Sequence, residues 1–231
     1  MLVQTMIAMM LALGLAPAPS PAVAPGDSRS DPRLNEDVLA ELNRARADPQ
    51  GYADELRAYR DDFDGPVAYS REAPDGVMTH EGPAAVDDAI AFLNRQPGLD
   101  PLNGSAMLAL GAGALVIDQA AGTRIGHVTL AGLDPSARMR QHGGNIYVGE
   151  VIAYGQADPR SVVRQLIVDD GVARRGHRAL VFSTLYRFAG VECGPHGRYG
   201  AMCVIDLSAT PDGSPKIPGS TPQVAALSDA Q

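Results

Sequence analysis

The chain has no tryptophan and only four phenylalanines in 231 residues, so any core it buries is built mainly from aliphatic side chains and alanine. It is also short of basic residues, with 19 Lys and Arg against 27 Asp and Glu and a net charge of -8. No basic stripe is available to release counterions, which argues against nucleic acid or an anionic membrane surface as partner. The densest basic cluster, Arg174, Arg175 and Arg178, reads as the cap of a turn rather than a phosphate site. Missing too are Gly-x-Ser-x-Gly, His-Glu-x-x-His, Cys-x-x-Cys and the P-loop pattern. With them the common nucleophile, zincin, redox and nucleotide chemistries lose their sequence support. Gly111 and Gly113 spell Gly-x-Gly, but inside a helical pattern and without a third glycine, so they read as close-packing positions.

What is present begins with an apolar run at residues 6–16 and a Pro/Ala stretch ending Ala22-Val23-Ala24. This has the apolar core and small-residue exit of a secretory signal, so residues 1–24 are expected to be a signal peptide and the protein secreted or periplasmic. No Lys or Arg precedes the run and Pro25 follows the exit, which leaves a short uncleaved anchor as the alternative. That anchor is too brief to span a bilayer comfortably, and no transmembrane span is expected. A linker at 25–33, one domain at 34–209 and a Pro-, Ser- and Gly-rich disordered tail at 210–231 complete the expected organisation.

Apolar positions Leu34, Val38, Leu39, Leu42 and Ala45 recur at helical spacing until Asp48-Pro49 closes the run and opens a second short helix. Residues 58–83, with Asp61, Asp62, Asp64, Gly65 and Pro66, read as a long polar loop without the pattern of a calcium loop. Helices are expected at 84–95 and 105–121, a strand at 145–153, and a helix from Asp158-Pro159 to near Gly171. Strands at 188–191 and 202–207 flank a glycine-rich turn and place Cys193 opposite Cys203. In an exported chain such a pair is expected to be a disulfide, which closes a short ring for about 2.5–3 kcal/mol; two buried thiols are the alternative. The order of elements gives an α+β fold, with a small mainly antiparallel sheet between helical layers.

Chemistry gathers on His127, Glu150, Asp169 and His177, a set that only a folded domain could assemble. Two imidazoles and two carboxylates suit a metal site or an acid/base site. Asp169 lies seven residues beyond Val162, about 20° away in helical azimuth, so its carboxylate is expected to face the buried side. Burial and the negative end of the helix dipole both disfavour a charge there. Either His177, His127 or a metal shared with Glu150 offsets it, or a salt bridge to Arg174 or Arg178 does. His80 and His196 are expected to be solvent-exposed, and His142 is left open as a cleft residue.

The segments around the four residues read Arg124-Ile125-Gly126-His127, Gly149-Glu150-Val151-Ile152, Leu166-Ile167-Val168-Asp169 and Gly176-His177-Arg178. In that order, and with an opening helix of the form Leu39-x-x-x-Asn43-x-x-Arg46, the chain resembles the CAP superfamily of cysteine-rich secretory proteins, antigen 5 and pathogenesis-related 1. Val151 stands where that pattern has Asn, and Leu166 where it has Trp. The resemblance spans roughly residues 34–209 and implies an α-β-α sandwich with the four residues in a surface cleft. It further implies a ligand-binding module able to hold a divalent metal, Zn first, on His127, Glu150, Asp169 and His177, for an unknown small ligand, lipid or peptide. The alternative is a metal-dependent hydrolase acting on peptide or cell-envelope substrates, with the same four residues catalytic.

Overall fold

The computed structural model describes residues 32–70 and 73–215. The expected signal peptide lies outside the described residues, as do most of the linker and the end of the tail from 216 on.

Helix α1 (Pro32–Ala47) runs into Asp48, whose carboxylate accepts the Gly51 N–H at 2.9 Å and caps α2 (Pro49–Asp61). Val38, Leu42 and Ala45 form the buried stripe of α1 that the spacing predicts. The polar residues of the opening helix act as clamps. Asn43 exchanges two hydrogen bonds with the backbone of Leu102, and Arg46, 1% exposed, donates to the carbonyls of Asp100, Val181 and Ser183. A buried guanidinium is tolerated because those carbonyls solvate it.

Residues 63–78 depart from the expected loop. They form a small antiparallel sheet, β1 (Phe63–Asp64), β2 (Val67–Ala68) and β3 (Val77–Met78), before α3 (Pro83–Leu93). The central sheet comprises β4 (Asn103–Gly104), β5 (Val148–Tyr154), β6 (Phe188–His196) and β7 (Gly200–Ser208), in the order β4-β6-β7-β5. Only the β4–β6 pairing is parallel. The pleat sorts the side chains. Val151, Ala153, Val191, Cys193, Cys203, Ile205 and Leu207 pack with α1, α2, α3 and the later helices α6 (Pro159–Val168) and α7 (Gly176–Val181). Ile152, Met202 and Val204 face the other way, onto Ala112, Leu115 and Val116 of α4 (Ala106–Gln119). This is the expected α+β, α-β-α sandwich, and Cys193 and Cys203 are paired in register and bonded.

Helix α4 crosses the sheet so closely that a Cβ on Gly190 would lie 2.0 Å from the Ala109 backbone nitrogen, so only glycine fits there. Helix α5 (Pro135–Gln141), capped by Asp134, follows the loop after α4. Residues 210–215, expected to open a disordered tail, are docked instead. The carbonyls of Pro211, Asp212 and Gly213 accept from the Ser105 hydroxyl and the Asn145 and Tyr147 N–H groups.

Candidate functional site

His127 follows α4 on a loop held at three points. The Gly126 N–H donates to Tyr154 Oη at 2.9 Å, and the Gly126 carbonyl accepts from Gln119 Nε2 at 2.9 Å. The Arg124 carbonyl accepts from His196 Nε2 at 2.7 Å, and the His127 carbonyl from Arg138 Nη1 at 2.7 Å. Gly126 itself has φ 98°, a conformation that favours glycine and turns the next side chain inward toward the sheet. There His127 Nδ1 meets Glu150 Oε1 at 2.7 Å, while the other Glu150 oxygen pairs with Arg138 Nη2. The Glu150 and Arg138 side chains are buried, whereas that of His127 is 47% exposed.

Two members of this cluster, Arg138 and Asp206, lie outside the four residues read from the sequence. Arg138 projects from α5 under α4 and also donates to the Gly111 carbonyl at 3.0 Å. Asp206 is the cross-strand partner of Glu150 and is fully buried. Burial, and then the negative charge of Glu150, push its carboxyl well above the usual carboxylate range, although Arg138 acts in the opposite direction. As a carboxylate, neither Asp206 oxygen would find a donor. As an acid it keeps its proton and can donate a hydrogen bond to Glu150, and this is the form that burial selects. The signal was present in the alternation of β7, which puts Asp206 on the same face as Met202 and Val204.

The second pair is built at the α6–α7 junction. Asp169 was expected on the α6 stripe, but the helix ends at Val168 and Asp169 occupies the left-handed region, φ 56°. Its carboxylate is buried all the same. It accepts the N–H groups of His177 and Arg178 at 2.9 and 3.2 Å, as the N-terminal cap of α7, and pairs with His177 Nδ1 at 2.7 Å. His177 is therefore the group set against Asp169. Arg178 takes a different part, donating to the Ile167 and Val168 carbonyls that the end of α6 leaves open. Arg175 donates to the Asp169 carbonyl and pairs with Glu81 and Asp88, so Arg175 and Arg178, two of the three arginines in the cluster, cap this turn.

The structure thus joins the four residues as two separate pairs. Both border the edge strand β5: Glu150 points toward α4, and the opposite side of its neighbour Gly149 lies against Tyr186 and against Leu180 of α7. Each carboxylate is occupied by an imidazole Nδ1 and by a second anchor, Arg138 or the α7 backbone. Among the described residues, no group of three or more His, Cys, Asp or Glu is placed to hold a metal ion. What remains for a ligand is Nε2 of each ring, with no hydrogen-bond partner among the described residues and with side-chain exposures of 47% and 23%.

Of the other histidines, His80 and His142 are exposed. His196 is not, contrary to expectation. It is 2% exposed, its Nδ1 accepts the Arg198 and Tyr199 N–H groups at 3.2 Å each, and its ring packs on Tyr154 and Tyr199. It locks the hairpin turn onto the loop that carries His127.

No protein-family model and no curated protein matches the chain. Among solved structures it is similar to an outer surface protein of Borrelia burgdorferi, at 18% identity and a TM-score of 0.39, over 62% of this chain and 97% of that one. It is also similar to a cysteine-rich secretory protein of Staphylococcus aureus subsp. aureus Mu50, at 14% identity and a TM-score of 0.34. That match covers 54% of this chain and 37% of the other. The fold assignment rests on the sheet and helix layers themselves.

Proposed function

We propose that the chain is an exported ligand-binding module in which His127 and His177 offer Nε2 to one divalent ion of the zinc or copper type. The observation that carries this reading is that a buried carboxylate holds Nδ1 of each imidazole, while among the described residues Nε2 has no hydrogen-bond partner and both side chains are partly exposed. Carboxylates in that position fix the ring tautomer and raise the basicity of the free nitrogen. Glu150 and Asp169 are then orienting groups rather than ligands, and the donor set of two imidazole nitrogens fits a borderline metal better than Mg²⁺. Bound metal would supply an open coordination position for the ligand. Export is supported by the Cys193–Cys203 bond, which belongs to an oxidising compartment. Among the described residues, no helix is long and apolar enough to cross a membrane.

Calorimetry with Zn²⁺ on untagged protein tests the reading. One equivalent is expected to bind. His127→Ala and His177→Ala should each abolish binding while leaving the fold intact. A double variant that binds Zn²⁺ like the parent, or two sites lost one at a time, would overturn the shared ion.

The His127–Glu150 pair favours a second reading, because a buried carboxylate on Nδ1 is how an imidazole is oriented as a general base. In that reading His127 takes a proton from a water attacking peptide or cell-envelope material. Hydrolysis that His127→Ala abolishes would select it.

A further inference from the structure

A cleft of about 180 Å³ lies between α2 and the first turns of α6 and shares no residue with either histidine pair. Its walls are Tyr52, Leu56 and Tyr59 on one side, and Arg160 and Arg164 on the other. Arg164 is held rigidly, with its guanidinium 4.2 Å from the Tyr59 ring centroid and Nη2 donating to Ser161 Oγ at 2.8 Å. Among the described residues it makes no ion pair, so its remaining N–H donors are open. Arg160 reaches Glu55 only at 3.9 Å, and both Glu55 oxygens are already taken by Arg44. With Asp62 and Glu55 at the rim, two arginines face two carboxylates, so the open donors of Arg164, rather than a net charge, are what the cleft offers an anion. Tyr52 contributes its ring to the wall.

We propose that this cleft binds a small organic carboxylate with a flat apolar body. The guanidinium of Arg164, with Arg160 at the mouth, takes the carboxylate through its planar fork of donors. Leu56 and the tyrosine rings cover the body. Stacking on Tyr59 and the bond to Ser161 have already fixed Arg164, so little side-chain entropy is lost on binding. The cleft is smaller than the roughly 300–1,000 Å³ typical of drug-sized ligands, which sets the class at a single ring or short acyl chain.

Benzoate, acetate and sulfate at matched ionic strength are the probes, read by amide chemical shifts of the full folded domain. Benzoate is expected to saturate, at least tenfold tighter than acetate or sulfate, with shifts on α2 and α6. Arg164→Gln should weaken it tenfold or more, and exposed Arg160→Gln several-fold. His127→Ala and His177→Ala should leave benzoate binding unchanged, so this proposal and the metal reading stand or fall separately. The proposal is overturned if benzoate does not saturate, if sulfate binds as tightly, or if folded Arg164→Gln and Arg160→Gln both bind like the parent.

Discussion

Glu150 sits at the centre of a buried chain of polar groups, with the His127 ring at one end, Asp206 at the other and Arg138 alongside. One arginine cannot neutralise two buried carboxylates, so the proton kept by Asp206 balances the cluster. This has a signed consequence for stability. The Asp206 carboxyl is raised above its unfolded value of about 3.9, so the folded chain holds a proton that the unfolded chain releases, and stability falls as pH rises through that window. Asp206→Asn keeps the shape and the donor to Glu150 without the titration. It is expected to be more stable than the parent at pH 7 and to lose the advantage below about pH 4, where the unfolded chain is protonated too. Denaturant titrations at the two pH values check this, and a variant less stable than the parent at pH 7 would show that Asp206 is ionised in the fold. The four site residues were legible because each lies in a short segment of recognisable type. Asp206 was legible only as an inward position of β7, and Arg138 not at all, because nothing near it in sequence shows that α5 carries it to Glu150 beneath α4.

The α6–α7 junction shows how far local signals reach at the scale of elements. The start of α6 could be read from Asp158-Pro159, and the Asp158 side chain does accept the Ser161 N–H at 2.9 Å. Its end could not, because it depends on Arg178, from the next helix, taking the last carbonyls. Helices α5 and α7, of 7 and 6 residues, are too short to show a period or to persist on their own, and tertiary hydrogen bonds define them. For α7 the decisive group is Asp169. Asp169→Ala should remove the cap and leave two N–H groups unpaired, a cost of about 2 kcal/mol. His177→Ala, which leaves both N–H bonds to Asp169 in place, should cost less than half of that. Thermal unfolding of the two variants checks the order, and equal losses would mean that the imidazole, not the backbone cap, holds the junction.

At the scale of the whole molecule, the two core faces followed from pleat alternation and helical stripes, since burial on either side of a sheet depends on period alone. Positions that depend on which surface lies opposite did not follow. His196 reads from sequence as exposed in a turn, but the loop that carries Arg124 covers it. The disulfide shows the same division. Register could be inferred from the hairpin, but not that Cys193 and Cys203 lie on the face toward α1, each 1% exposed. That placement shields the bond from reductants while the domain is folded. Native protein treated with an alkylating agent should therefore gain no label, and reduction under denaturing conditions should add about 2 Da before two labels appear. Replacing both cysteines by alanine should cost about 2.5–3 kcal/mol through the freed unfolded chain. Zn²⁺ and benzoate binding should persist, because neither the histidine pairs nor the α2–α6 cleft rests on the bond. Two labels on native, unreduced protein would mean that the pair is not bonded in solution, and would remove the main support for export to an oxidising compartment.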